Sequence, residues 1–144
     1  MPAIDVLNPA SRHLLLEMLR CVARESTEDE AIRGAEIALG VVDTPARSLP
    51  ELPLSGLAAR DRMLFYAAAV WMTLADGVRV RAETALLEVL RTQLRLDGET
   101  ALFLERQSRW VRTSTGDLSP HRELDLLLTE TARRLSQIEA RQAA

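Results

Sequence analysis

Apolar residues recur along most of this chain at intervals of three and four positions, the period of an amphipathic helix. Strands alternate apolar and polar residues, and no run of that kind occurs. Turn-forming stretches rich in Gly, Pro, Asp and Ser separate the periodic segments. The pattern predicts an all-α fold, a single-domain bundle of about six helices over residues 1–144.

Two helices are predicted before residue 41. The first begins near Ser11, a suitable N-cap, and ends near Glu25. In the second, Thr27 and Glu30 have the spacing of a capping box, in which each side chain bonds the other residue's main-chain amide. Gly34 falls within this helix, where a glycine either weakens the helix or allows another element to pack closely.

The connector over residues 43–56 contains Pro45, Pro50 and Pro53, which exclude a continuous helix. The leucines between the prolines predict that the connector packs back on the core. Its composition also allows a short turn of helix.

The third helix, over residues 57–75, is apolar on nearly all sides in its second half, so other helices should surround it. Tyr66 and Trp71 lie in this stretch, and core packing explains them better than a ligand pocket does. The apolar run from Met63 to Ala75 is shorter than the roughly 20 residues of a membrane span. We expect a buried central helix and no membrane span.

Three further helices are predicted. One covers residues 81–94, the next follows Asp97 as its N-cap, and the last begins with Ser119 as N-cap and Pro120 as the first helical residue. The last helix carries a narrow apolar seam that either docks on the bundle or pairs with a second copy, docking being the default for a short chain: Leu124, Leu128, Leu135 and Ile138.

Composition limits the function classes. The 144-residue chain has a net charge of −3, which gives no electrostatic attraction to nucleic acid or anionic lipid. All its basic residues are arginine, so Lys-based nucleophiles are excluded. Cys21 is the only cysteine, and its apolar helical surroundings predict a buried thiol. His13 and His121 are far apart in the sequence and belong to no motif with the spacing of metal ligands. No catalytic arrangement is recognisable, and we do not expect an enzyme.

The segment LADGVRVRAET, residues 74–84, allows two interpretations of its acidic residues. In the first, Asp76 and Gly77 only stop the third helix, with Gly77 in the left-handed conformation, and Glu83 sits favourably at the next helix start. In the second, Asp76 and Glu83 bind a divalent cation, together with the free carbonyls at the helix end. Arginines in the same loop, Arg79 and Arg81, are alternative partners for both acids.

The stretch YAAAVWMTLADGVRVRAETALLEVLRTQLRLDGETA resembles the TerB-like family of tellurite-resistance proteins. The shared features are an Ala-rich helix ending in Ala-Asp-Gly, a gap of five residues before Glu83, a Leu-rich helix, and a Leu-x-Leu-Asp break at residues 94–97. The resemblance covers residues 64–104. It implies an all-helical domain that binds a divalent metal, calcium or similar, and acts in a bacterial, cytoplasmic stress-response system associated with the membrane. Only Asp76 and Glu83 match the family's metal-binding motif.

Two functional hypotheses follow. In one, the chain is a TerB-like module that binds a cation at Asp76 and Glu83. In the other, it is a metal-free adaptor that binds a protein partner, or itself, through the last helix or the Pro-rich connector.

Overall fold

Seven α-helices and two 3₁₀ turns make up the described part of the protein. The structure is a computed structural model that describes residues 3–23, 29–41, 43–45, 47–74, 81–115 and 118–143. Its helices are α1 (Ala3–Val6), α2 (Pro9–Ala23), α3 (Asp29–Leu39), α4 (Ala59–Thr73), α5 (Arg81–Gln93), α6 (Gly98–Thr115) and α7 (Pro120–Ala143). These ranges contain no strand. The all-α prediction is confirmed, and α1 is an additional short helix that was not predicted.

The start of α2 differs from the prediction. Asn8 is the N-cap, since its Oδ1 accepts a hydrogen bond of 2.8 Å from the Ser11 amide, and Pro9 is the first helical residue. Proline suits that position because it has no amide hydrogen to satisfy. Ser11, the predicted N-cap, lies inside the helix, and its hydroxyl donates to Asp61 Oδ2 at 3.4 Å.

The later helix starts agree with the sequence. Asp97 Oδ1 accepts a 2.7 Å bond from the Thr100 amide, which confirms Asp97 as the N-cap of α6. The final helix begins at Pro120, as predicted. The helix after α2 begins at Asp29, while Thr27 of the predicted capping box lies outside the described residues.

Helix α4 lies at the centre of the bundle. It packs on α2, α5, α6 and α7, and every residue from Leu64 to Thr73 is buried. Tyr66 and Trp71 are both in the core, as predicted. A helix without a polar face needs neighbours on all sides, and α4 has them.

Helix α7 packs on α1, α3, α4 and α6. The predicted docking of its seam on the bundle is confirmed for Leu124, Leu128 and Leu135, which are buried, whereas Ile138 remains 38% exposed. The seam is therefore less buried at its carboxyl end.

Gly34 allows α3 to approach the start of α7. A Cβ atom built on Gly34 would lie 2.6 Å from Pro120 Cβ and 2.8 Å from the His121 amide nitrogen. Those distances are shorter than van der Waals contact. Close packing is therefore the reason for this glycine.

The Pro-rich connector lies against the core, as predicted. Its 3₁₀ turns cover Leu49–Glu51 and Leu54–Gly56, and its leucines at 49, 52 and 54 are buried. Gln93 at the end of α5 donates from Nε2 to the Leu49 carbonyl at 2.8 Å. This bond ties the connector to the second half of the chain.

Candidate functional site

The predicted cation site falls at the break between α4 and α5. The structure places Glu83 in the first turn of α5 and leaves it only 1% exposed. Asp76 and Arg79 lie outside the described residues, as does the side chain of Arg81. The structure therefore locates one member of the predicted pair.

Burial distinguishes Glu83 from an ordinary residue at a helix start. A carboxylate in the first turn interacts favourably with the helix dipole while facing water, so the dipole gives no reason to bury it. Removing a carboxylate from water is costly unless a positive charge or hydrogen bonds compensate it. A cation and a neighbouring guanidinium each supply such a charge, and hydrogen bonds within the protein also compensate a buried carboxylate. The burial of Glu83 is therefore consistent with either interpretation that pairs it.

Further metal ligands are not gathered elsewhere in the described ranges. Among those residues, no three His, Cys, Asp or Glu side chains are placed to hold one ion. His13 is exposed and its Nδ1 lies 2.8 Å from the Pro9 carbonyl, while His121 contacts the Ser119 hydroxyl at 3.2 Å. Each histidine thus has a local contact near the start of its own helix.

Glu123 forms a buried polar junction that the sequence interpretation did not single out. Its Oε1 accepts hydrogen bonds from Trp71 Nε1 at 2.9 Å and from Arg112 Nη1 at 2.8 Å, and the residue is 5% exposed. The junction joins α4, α6 and α7. The sequence does contain one indication of a buried Glu123. It lies four residues before the buried Leu127, so both side chains fall on the apolar face of α7.

Glu17 forms a second ion pair, in which the carboxylate is buried and the Arg47 guanidinium is partly exposed. Arg47, from the connector, donates from Nε to Glu17 Oε1 at 2.7 Å and from Nη2 to Oε2 at 2.8 Å. This two-bond geometry is the strongest that arginine makes with a carboxylate. The hydrogen bonds from Arg47 hold the pKa of Glu17 below its ordinary value of 4.5, against the opposing effect of burial. Cys21, buried as predicted, donates its thiol to the Arg47 carbonyl at 3.3 Å.

This pair predicts a dependence of stability on acid. Because the Glu17 pKa is lower in the folded than in the unfolded chain, the stabilisation is complete above about pH 4.5 and is lost as the pH falls through the folded-state value. We expect Arg47→Met to lower the melting temperature at neutral pH, with the deficit shrinking below pH 4.5. Thermal melting of both proteins across this range tests it.

The matched control is Glu88→Gln, which removes the charge of an exposed carboxylate paired with Arg91. Exposed pairs contribute little, so this variant should follow the wild type at all pH values. A deficit for Arg47→Met that stays constant through the acid range would show that the Glu17 pair is not its source.

The surface shared by α6 and α7 carries exposed apolar side chains. Trp110 and Leu102 are each 45% exposed, and the Arg134 guanidinium lies 5.4 Å from the centre of the Trp110 ring. Arginine over an indole face is a cation–π contact. Next to it, Phe103 and Ile138 line two cavities, of about 370 Å³ and about 320 Å³.

A larger cavity, of about 800 Å³, lies on the other side of α7, against α1. Acidic and basic side chains both line it, among them Asp5, Arg60, Glu130 and Arg133. The two arginines already have partners: Arg60 donates to the Val6 carbonyl, and Arg133 pairs with Glu130. Arg60, Glu130 and Arg133 therefore bond within the protein.

Comparisons with protein-family models, curated proteins and solved structures found no match to this chain. The resemblance to the TerB-like family thus depends on the motif over residues 64–104 alone. Within the residues that the structure describes, no helix is long and apolar enough to cross a membrane.

Proposed function

We propose that this chain is a non-enzymatic, TerB-like helical module that binds a divalent cation, calcium or similar, at Asp76 and Glu83. The observation that carries the proposal is the burial of Glu83, which follows the Ala-Asp-Gly motif in the sequence. Following the family resemblance, the module serves a cytoplasmic stress-response system associated with the membrane.

The chemistry of the break supports a hard cation. Asp76 follows α4, where the free carbonyls of a helix end carry partial negative charge, and Glu83 adds a second carboxylate after a short loop. Calcium and magnesium prefer carboxylate and carbonyl oxygens, and water completes their coordination. A cation there offsets both the charge of Asp76 at a helix end and the burial of Glu83.

Thermal melting of chelator-stripped protein with added calcium, magnesium, manganese or zinc tests this function. A ligand that binds only the folded protein stabilises it by about 2.7 kcal/mol at a hundred times its Kd. For a domain of this size we expect the melting temperature to rise by several degrees. The rise should disappear in Asp76→Ala and in Glu83→Gln.

The matched control is Glu88→Gln, an exposed carboxylate on the same helix as Glu83. It should keep the full response to the cation. No shift of the wild type with any of the four ions would reject the metal site, and it would favour arginine as the partner of both acids.

A second candidate function is an adaptor that binds a protein partner or a second copy. The exposed apolar side chains of α6 and α7, Leu102, Trp110 and Ile138, favour it. Leu128, the obvious seam position to test, is fully buried, so a charge there would disrupt the fold. Ile138 is the seam residue that a variant can change without opening the core.

A further inference from the structure

We propose that the carboxyl end of α7 pairs with the same surface of a second copy of this chain, about a two-fold axis near Phe103 and Ile138. The proposal is a specific form of the adaptor function and does not depend on the cation. It rests on the distribution of apolar and charged side chains around these two residues.

The centre of the surface is apolar. Phe103 and Ile138 line both the 370 Å³ cavity and the 320 Å³ cavity, so the two cavities adjoin along these side chains. Met63 and Leu135 extend the apolar lining of the larger one. From Ser136 to Gln142, every residue of α7 is exposed. Ile138 is the one large apolar side chain among them, and it is 38% exposed.

The two flanks of this centre carry opposite charges. The smaller cavity is lined by three arginines of α7, Arg133, Arg134 and Arg141, of which Arg133 and Arg134 also contact Glu130. The larger one has Glu99 and Glu139 in its lining, together with Arg60, which donates to the Val6 carbonyl. Arg134 and Arg141 are seven residues apart and share one side of the helix, while Glu139 lies across Ile138 from them.

Such a surface is complementary to itself. A two-fold interface brings the same patch of both copies together, so each charged flank must meet its opposite. Rotation by half a turn about the Phe103 and Ile138 centre places the arginine flank of one copy over the glutamate flank of the other. The exposed Ile138 side chains then cover one another.

Other occupants fit less well. An acidic helix or an anionic bilayer would attract the arginine flank and meet repulsion from Glu99 and Glu139. The net charge of −3 adds to the repulsion from a bilayer. A second copy satisfies both flanks at once.

Sedimentation velocity of the full chain over a range of concentrations tests the proposal. We expect a monomer–dimer equilibrium that Ile138→Glu weakens by at least about tenfold in Kd, because two carboxylates then face each other in an apolar centre. Arg141→Glu and Glu139→Arg should each weaken the dimer as well, since each places like charges opposite each other.

Mixing the two charge variants gives the sharpest result. In a dimer of one Arg141→Glu chain and one Glu139→Arg chain, both cross-interface pairs again have opposite signs. We expect the mixture to recover dimers that neither variant forms alone, and added salt should weaken them.

Ile37→Glu is the matched control, because Ile37 is 64% exposed on α3 and lines neither of the two cavities. It should dimerise like the wild type, and melting of each variant checks that it is folded. A wild type that stays monomeric at all concentrations would overturn the proposal and the self-association form of the adaptor. A dimer that resists Ile138→Glu and both charge reversals would keep self-association but reject this surface.

Discussion

Glu123→Ala is expected to lower the free energy of unfolding by about 3 kcal/mol. Its carboxylate accepts hydrogen bonds from both Trp71 and Arg112 inside the protein. Removing it leaves a buried indole N–H without its acceptor and a largely buried guanidinium without its counter-charge. Denaturant unfolding followed by circular dichroism measures the change.

Two further variants test whether the lost hydrogen bonds and the lost charge cause this loss of stability. Glu123→Gln keeps an acceptor for Trp71 but removes the negative charge, so its loss of stability should be intermediate. Glu88→Ala removes an exposed carboxylate and should stay within about 0.5 kcal/mol of the wild type. If Glu123→Ala proved as mild as Glu88→Ala, the junction would not hold α4, α6 and α7 together.

Gly34→Ala is expected to destabilise the protein by about 1–3 kcal/mol. In the interior of an ordinary helix this change is favourable, by about 1 kcal/mol, because alanine is the better helix former. Here the new methyl group would overlap Pro120 and the backbone of His121, which cannot move without shifting the start of α7. Close packing therefore makes Gly34→Ala destabilising, whereas the same change in an ordinary helix is stabilising. Chemical unfolding measures the change in the free energy of unfolding.

The matched control is Gly98→Ala in the first turn of α6. A Cβ on Gly98 would meet nothing within 4 Å, so this variant should be neutral or slightly stabilising. A Gly34→Ala protein more stable than the wild type would mean that α3 and α7 separate easily at this contact.

Much of the fold was predictable because its signals are local. The period of apolar residues located the helices after the first, and Asp97 and Pro120 marked helix starts through bonds within a few residues. Ser11 shows the limit of such signals. Asn8 and Pro9 form the same cap-then-proline pattern as Ser119 and Pro120, and that pattern outweighs a serine in the following turn.

The site was predictable only in part, because its partners are distant in sequence. Glu123 and Trp71 are 52 residues apart, and Glu17 and Arg47 are 30 apart. Spacing placed both glutamates on apolar helix faces, but it did not identify the groups that compensate them. For Glu83, the motif indicated a functional residue, and the structure adds its burial. The opposite charges about Ile138 come from α6 and α7 together, so no single stretch of sequence displays them.

The packing of α7 has a consequence for how the chain is made. This helix contacts α1, α3, α4 and α6, all of which leave the ribosome before it. Until α7 arrives, the surfaces of those helices that it contacts lack its cover, and contacts between distant segments form late. The nascent chain should therefore stay sensitive to protease until α7 has emerged from the ribosome, and become more resistant afterwards.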